Sequence, residues 1–189
     1  SIAGRDAADP PLVAVDHLRV SGEWEGLSGR VLRLTEVVVE RPRFDLLIYP
    51  DGTTNLPDFG AGGGERGSLE IRVDALLVHA GMFHLNAQEI PLELVADQVH
   101  ARLVRAKRGA LRGDAIVEKV DLALPNARPI PVALAGSVLL GASGIEIENG
   151  HARTPGLVAT ASGPIGWGGS NRGELRFAGD GSTSVLREL

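Results

Sequence analysis

The chain lacks the residues that most often carry covalent chemistry. None of its 189 residues is cysteine, which excludes disulfide scaffolds, zinc sites built on cysteine and thiol catalysis. Aromatic residues make up only 4% of the chain. The core must therefore be filled by Leu, Val, Ile and Ala, which favours thin layers over one bulky centre.

No apolar run has the length of a membrane-spanning helix. The longest stretch without charge covers residues 129–145, PIPVALAGSVLLGASGI, and falls short of the roughly 20 apolar residues that a span needs. Its prolines and glycines also disfavour a helix. We interpret it as two strands joined at a glycine turn, because four of its residues share one parity: Val132, Leu134, Val138 and Leu140.

Charge limits the partners that the chain can attract. The net charge is −5, which gives no long-range attraction for polyanions, so no nucleic-acid partner is expected. Hydrophobic residues at 43% and charged residues at 23% are usual for a folded protein. A chain of this length suits one domain or one section of an elongated repeat array.

Alternation with a period of two is the dominant pattern and predicts β-strands throughout. In residues 44–48, for example, Phe44, Leu46 and Ile48 alternate with Asp45 and Leu47. Similar units recur at roughly 20 to 30 residues, as in degenerate repeats. Three dipeptides predict tight hairpin turns between strands: Asp51-Gly52, Asn149-Gly150 and Asp180-Gly181. Residues 60–67, GAGGGERG, are expected to form a flexible loop inside the single unit 1–189.

The segment 92–106 fits two periods. One is a helical spacing of apolar residues, followed by Leu92, Val95, Ala96, Val99 and Leu103. A proline precedes them, at a position where helices often start. The same segment also alternates as a strand, provided that a β-bulge switches the parity before Val99. We favour the strand.

The motifs that could indicate catalysis or a metal site lack their structural context. The glycines of GGGERG precede an alternating strand and not the helix that a dinucleotide site requires. Asp51, Thr53 and Asn55 resemble the start of a calcium loop, but the position of its bidentate Glu is Gly62. The five histidines lack the spacing of a helical zinc motif: His17, His79, His84, His100 and His151. We therefore expect no enzyme, no cofactor and no metal.

A basic cluster lies near residue 107. It comprises Arg102, Arg105, Lys107, Arg108 and Arg112, with no acidic residue among them. Such a cluster could bind lipid headgroups or phosphate, but a solvated loop is the favoured interpretation because few aromatic residues accompany it.

Residues 18–59, LRVSGEWEGLSGRVLRLTEVVVERPRFDLLIYPDGTTNLPDF, carry a family pattern. A strand ending in "v.rP" (39–42) precedes an apolar strand (44–48) and a "dG..Nlp" turn (51–57). Later segments continue the pattern: ALLVHAG at 75–81, residues 90–94, and LVATASGPIGW followed by ELRFAGDGSTSVLREL. The chain from about residue 11 to 189 resembles the AsmA-like and TamB family of bridge-like envelope proteins.

This resemblance implies a fold and a function. The implied fold is a long antiparallel sheet curled along its axis into an open, taco-like or solenoid-like groove with an apolar interior. Members carry phospholipid between the inner and outer membranes, and TamB acts in outer-membrane protein assembly with a barrel partner. Members also begin with a membrane-anchoring helix and are much longer, so we expect an N-terminal-region fragment of a periplasmic protein anchored in the inner membrane of a Gram-negative-type bacterium.

The expected ligand is the acyl chain of a phospholipid, which gains free energy for each methylene that leaves water. The apolar residues of the alternating runs are the candidates for the groove lining: Phe44, Leu46, Ile48, Leu69, Ile71, Val73, Val120, Leu122, Leu124, Val132, Leu134, Ile145, Ile147, Leu175 and Phe177.

Two other functions fit the same residues. The chain could be a scaffold or chaperone segment for outer-membrane protein assembly that offers its sheet edges to partner strands. It could also be a ligand-free structural β-solenoid with a fully packed interior. Exposed strand edges would favour the scaffold or chaperone segment, and a closed core would favour the structural β-solenoid.

Overall fold

The computed structural model describes residues 11–25, 31–51, 53–55, 70–88, 92–123, 130–141, 144–154, 157–166 and 176–181. Within these residues, twelve strands form one sheet, and one 3-10 turn spans Lys107–Gly109. The predicted all-β class is therefore confirmed, and the sheet is curled without closing. The strands are β1 (Val13–Ala14), β2 (His17–Glu25), β3 (Val31–Glu40), β4 (Arg43–Ile48), β5 (Glu70–Val73), β6 (Ala75–Ala87), β7 (Leu92–Arg105), β8 (Leu111–Ala123), β9 (Ile130–Gly141), β10 (Gly144–Thr154), β11 (Leu157–Gly166) and β12 (Arg176–Gly181).

From β6 onward, strand order in the sheet follows the sequence. From β6 to β12 each strand pairs antiparallel with the next. The chain through β3 and β4 runs parallel to the chain through β5 and β6. At the other end, β1 and β2 pair antiparallel with β4 and β3. The described sheet is thus a meander with one parallel crossing, bordered by β2 at one end and β12 at the other.

The segment with two possible periods is a strand, as predicted. β7 runs without interruption over Leu92–Arg105. Its register shifts between Ala96 and Val99, where Gln98 has a φ of 54°. This β-bulge supplies the parity switch that the strand interpretation required.

Bulges on neighbouring strands explain why the sheet curls. Three residues at neighbouring places in the sheet have left-handed backbone: Arg41 (φ 48°) between β3 and β4, Ala80 (φ 51°) in β6 and Gln98 (φ 54°) in β7. β8 has a further register shift between Val117 and Val120. A bulge bends its strand and increases the local twist. Irregularities at one level of several strands therefore form a crease across the sheet.

Two of the predicted turns are wrong. Asn149 and Gly150 lie inside β10 at a bulge, and Asp180 and Gly181 lie inside β12, paired with β11. Glycine serves a different purpose in β10, because a Cβ at Gly150 would stand 2.9 Å from the Ala161 carbonyl oxygen. The four residues of shared parity in 129–145 all belong to one strand, β9, and the next strand starts at Gly144. The expected loop 60–67 lies outside the described residues.

The turn after β4 is the predicted hairpin, and Asn55 fixes it. Ile48 bridges Thr54, and the Tyr49 N–H donates to the Thr53 carbonyl oxygen. The fully buried Asn55 side chain extends the β4 ladder: its Oδ1 accepts from the Leu47 N–H (2.9 Å) and its Nδ2 donates to the Asp45 carbonyl oxygen (2.8 Å). One amide side chain therefore satisfies two backbone groups at the start of the parallel crossing.

Replacing this amide should destabilise the protein strongly. The Asn55→Ala change leaves a buried N–H and a buried carbonyl without partners, so we expect the free energy of unfolding to fall by about 3 kcal/mol. Urea denaturation followed by circular dichroism measures the change. Thr53→Ala, at an exposed position two residues away, is the control and should cost about 0.5 kcal/mol. Equal losses for the two variants would contradict the role given to Asn55.

The crease can be tested at Gln98. A β-branched side chain is disfavoured in the left-handed region, so Gln98→Val should lower the free energy of unfolding by about 1 to 2 kcal/mol. Arg102→Val is the matched control on the same strand, because Arg102 is exposed and does not have a positive φ. Valine suits ordinary strand backbone, so the control should change stability little. A tolerated Gln98→Val would show that the bulge is not fixed at this residue.

Candidate functional site

The pairing register assigns each strand residue to one face of the sheet, and one of the two faces carries uninterrupted apolar rows. Residues that pair across a ladder share a face, and successive residues of a strand alternate between faces. One row of paired positions crosses the described sheet from β2 to β12, and all nine are apolar. This central row is Leu18, Val39, Val78, Ala101, Ala115, Gly136, Gly150, Ala161 and Phe177.

The rows on either side of the central row are apolar as well. We call the face that carries these three rows the apolar face. Nine strands at a spacing of about 4.8 Å give it a length of roughly 38 Å along the curve of the sheet. One flanking row is Val20, Val37, Leu76, Leu103, Gly113, Val138, Ile147 and Gly163. The other is Gly81, Val99, Val117, Leu134, Ala152, Ala159 and Gly179.

The apolar face has a shallow middle and higher sides. The five central-row positions from β7 to β11 are all Ala or Gly. Larger side chains stand on both sides of this line at β7 (Val99 and Leu103) and at β9 (Leu134 and Val138). Glycine is required in part by the backbone, since a Cβ at Gly136 would stand 2.4 Å from the Asn149 carbonyl oxygen. The small side chains therefore leave a depression that runs across the strands.

The apolar face is accessible to a ligand. Leu134 is 37% exposed and Ile71 is 57% exposed. Within the part of the chain that the structure describes, the fully buried side chains on this face are those of Ala87, Ala96, Leu103 and Val120. The curl of the sheet thus shields these side chains only in part.

The opposite face, which we call the polar face, holds the strand ion pairs. Arg43 and His84 both contact Asp45, whose side chain is only 1% exposed. The other ring nitrogen of His84 lies 3.0 Å from a Glu93 oxygen. On β8, Lys119 lies 2.6 Å from Asp121, and this hydrogen bond raises the pKa of Lys119. Several charges of the polar face are thus arranged in local pairs.

Two members of the basic cluster near residue 107 form ion pairs with acids from distant parts of the sequence. Arg105 pairs with Asp74 at 2.8 Å, and Arg112 pairs with Glu148 at 2.5 Å. Arg102 stands opposite Asp114 in the β7–β8 register. The acids come from other segments of the chain, which is why the sequence shows none within the cluster.

The histidines separate into two environments. The bulge at Ala80 places His79 and His84 on the polar face, although their spacing would otherwise set them on opposite faces. His79 packs edge-on against His100, with ring centroids 6.3 Å apart, whereas His84 bridges Asp45 and Glu93. Among the described residues, no group of three or more His, Asp or Glu side chains could hold a metal ion.

The register brings the predicted lining residues together. Ten with described side chains lie on the apolar face: Phe44, Leu46, Ile48, Ile71, Val73, Val120, Val132, Leu134, Ile145 and Ile147. Phe44 stacks on Phe83 with centroids 5.5 Å apart. Leu122 and Phe177 occupy ladder positions of the same face by backbone register. Leu69, Leu124 and Leu175 lie outside the described residues.

Sequence reasoning missed much of the lining. Val37 and Val39 alternate across the apolar run of β3, and Leu76 and Val78 do so in β6, so the period-two signal was present. The small residues Ala101, Ala115 and Gly136 gave no signal, because Ala and Gly are compatible with either face. Only the register shows that they form one row.

Within the described residues, no helix has the length and hydropathy of a membrane span. The chain matches no protein-family model, no curated protein and no solved structure.

An accessible apolar face should bind a neutral apolar fluorophore. We expect N-phenyl-1-naphthylamine to fluoresce strongly with the folded chain, because the depression between Leu134 and Val138 offers a dry surface. Ala115→Phe fills the depression and should reduce this fluorescence several-fold. Ala135→Phe is the matched control, since Ala135 is exposed on the polar face of the next strand. Equal fluorescence from both variants would place the probe elsewhere.

Proposed function

We propose that this chain is a section of an elongated lipid-carrying sheet, which holds phospholipid acyl chains on its apolar face and passes phospholipid between the inner and outer membranes. The observation that carries the proposal is the unbroken apolar row from β2 to β12 on a sheet that does not close. The resemblance to the AsmA-like and TamB family points to the same function.

Acyl chains and the apolar face match in chemistry. Each methylene removed from water contributes about 0.8 kcal/mol, so partial coverage of one chain offsets much of the cost of leaving a bilayer. The roughly 38 Å length of the face exceeds that of one extended acyl chain. The charged phosphate stays in solvent, because the three rows that form the face contain no polar side chain.

Uniform rows also favour movement. A lipid that slides from β7 to β11 exchanges one Ala or Gly position for another, from Ala101 to Ala161. No charged side chain interrupts this path, so successive positions have similar free energies. The function requires no catalytic residue, consistent with the expectation that the chain is not an enzyme.

The resemblance extends the proposal to the cell. A periplasmic location and an inner-membrane anchor on the full-length protein would connect the sheet to one membrane. An outer-membrane barrel partner would connect it to the other.

A second function, scaffolding of outer-membrane proteins through sheet edges, is favoured by β2. Residues 17–24 of this border strand are all exposed, and such an edge can accept a partner strand. The two functions differ in their ligand, because only the first requires bound lipid.

Native mass spectrometry of the chain, purified after expression in a bacterial envelope, tests the lipid proposal. We expect co-purified phospholipid at near-integral stoichiometry. Leu134→Glu places a charge on the apolar face and should reduce bound lipid at least tenfold, because burying an unpaired carboxylate is costly. The double change Leu122→Glu with Leu134→Glu should abolish it.

Ile116→Glu is the matched control. Ile116 is 50% exposed and lies on the polar face of β8, beside the Val117 that pairs with Leu134. This variant should keep its lipid. A lipid-free wild-type chain that is folded and monodisperse would rule out the carrier function and favour the scaffold.

A further inference from the structure

We propose that β2 pairs with β2 of a second copy of this chain, antiparallel and about a two-fold axis at Ser21, so that two sheets join into one. The proposal concerns an edge and its partner, and it does not depend on lipid binding. It rests on the exposure of β2, the order of its charges and the position of its apolar residues.

β2 is an open edge within the described residues. It pairs with β3 alone. Residues 17–24 are all exposed, including Leu18 at 61% and Trp24 at 66%. A long exposed edge that carries large apolar side chains is a template for pairing with another strand.

The charges of β2 are self-complementary in one register. The strand reads HLRVSGEWE. When Ser21 faces Ser21 of the second copy, Arg19 of each chain faces Glu23 of the other, and His17 takes the position opposite Glu25. Opposite charges at facing positions stabilise a strand pair, whereas like charges destabilise it. A parallel in-register pair would set Arg19 against Arg19 and Glu23 against Glu23, which excludes that arrangement.

Both charges are open to a partner on another chain. Glu23 has no ion-pair partner among the described residues, and Arg19 is 3.8 Å from Glu40 with a 72% exposed side chain. Shifting the antiparallel register by two residues sets either Arg19 or Glu23 opposite Ser21. The register centred on Ser21 is therefore the one that pairs both charges.

The same register continues the apolar face. A two-fold axis perpendicular to the sheet keeps equivalent faces on the same side. Leu18, which begins the central row, then faces Trp24 of the second copy, and Val20 faces Gly22. An aromatic and an aliphatic side chain at facing positions form a favourable cross-strand pair. The apolar faces of the two copies become one.

Charge exchange tests the register. Sedimentation equilibrium of the wild-type chain should show a concentration-dependent dimer. Arg19→Glu and Glu23→Arg each set like charges opposite one another twice, so each variant should raise the dissociation constant at least tenfold. An equimolar mixture of the two variants restores both opposite-charge contacts, and so does the double variant. Both should dimerise like the wild type.

Two controls separate this interface from others. Glu118→Arg makes the same charge change at an exposed position of β8, four strand positions from the edge, and should leave the dimer intact. A wild-type chain that is monomeric at all concentrations would overturn the proposal. So would single variants that dimerise normally, or a mixture of them that stays monomeric.

A cysteine probe measures the axis directly, since the chain has no native cysteine. Ser21→Cys should form an intermolecular disulfide under mild oxidation, because facing Cβ atoms lie about 5 Å apart. Arg19→Cys should not, since the two copies of position 19 are four residues, about 14 Å, apart along the strands. Equal crosslinking of both variants, or of neither, would overturn the proposed register.

Discussion

Pairing in a fixed register is the constraint on which the rest of this structure depends. Paired residues share a face, so the register of each strand decides which side chains join the apolar face. In β9, a slip by one residue would replace Leu134 and Val138 on that face by Ala133 and Ser137. The apolar rows exist because nine successive strand positions keep compatible registers across the whole described sheet.

The bulges have two effects that arise from the same inserted residue. In β7 the extra residue at Gln98 keeps Ala96 and Val99 on the apolar face although they are three apart. The same insertion bends the strand. Because the irregularities at Arg41, Ala80 and Gln98 lie on neighbouring strands, their bends add to a crease. Curvature and chemical segregation of the faces are therefore linked.

The two faces then have separate consequences. On the polar face charges are paired locally, as in the contact of Asp45 with Arg43. On the apolar face the curl leaves residues such as Leu134 accessible. A sheet of this kind buries few side chains fully, so its remaining apolar surface is available to a ligand or to a second sheet. Lipid binding would use the apolar face, whereas the dimer would join two sheets at the β2 edge.

The sequence by itself determined the strands and much of the candidate lining. Alternation of Phe44, Leu46 and Ile48 was sufficient to place them on one face, because the period of a strand is local. Tertiary structure alone decided the rows, since Ala115 and Gly136 became neighbours only through the β8–β9 register. It also decided that Asn149-Gly150 lies within a strand, because close approach to Ala161, and not a turn, requires that glycine. Local periodicity is encoded within a few residues, whereas register and curvature depend on contacts between distant strands.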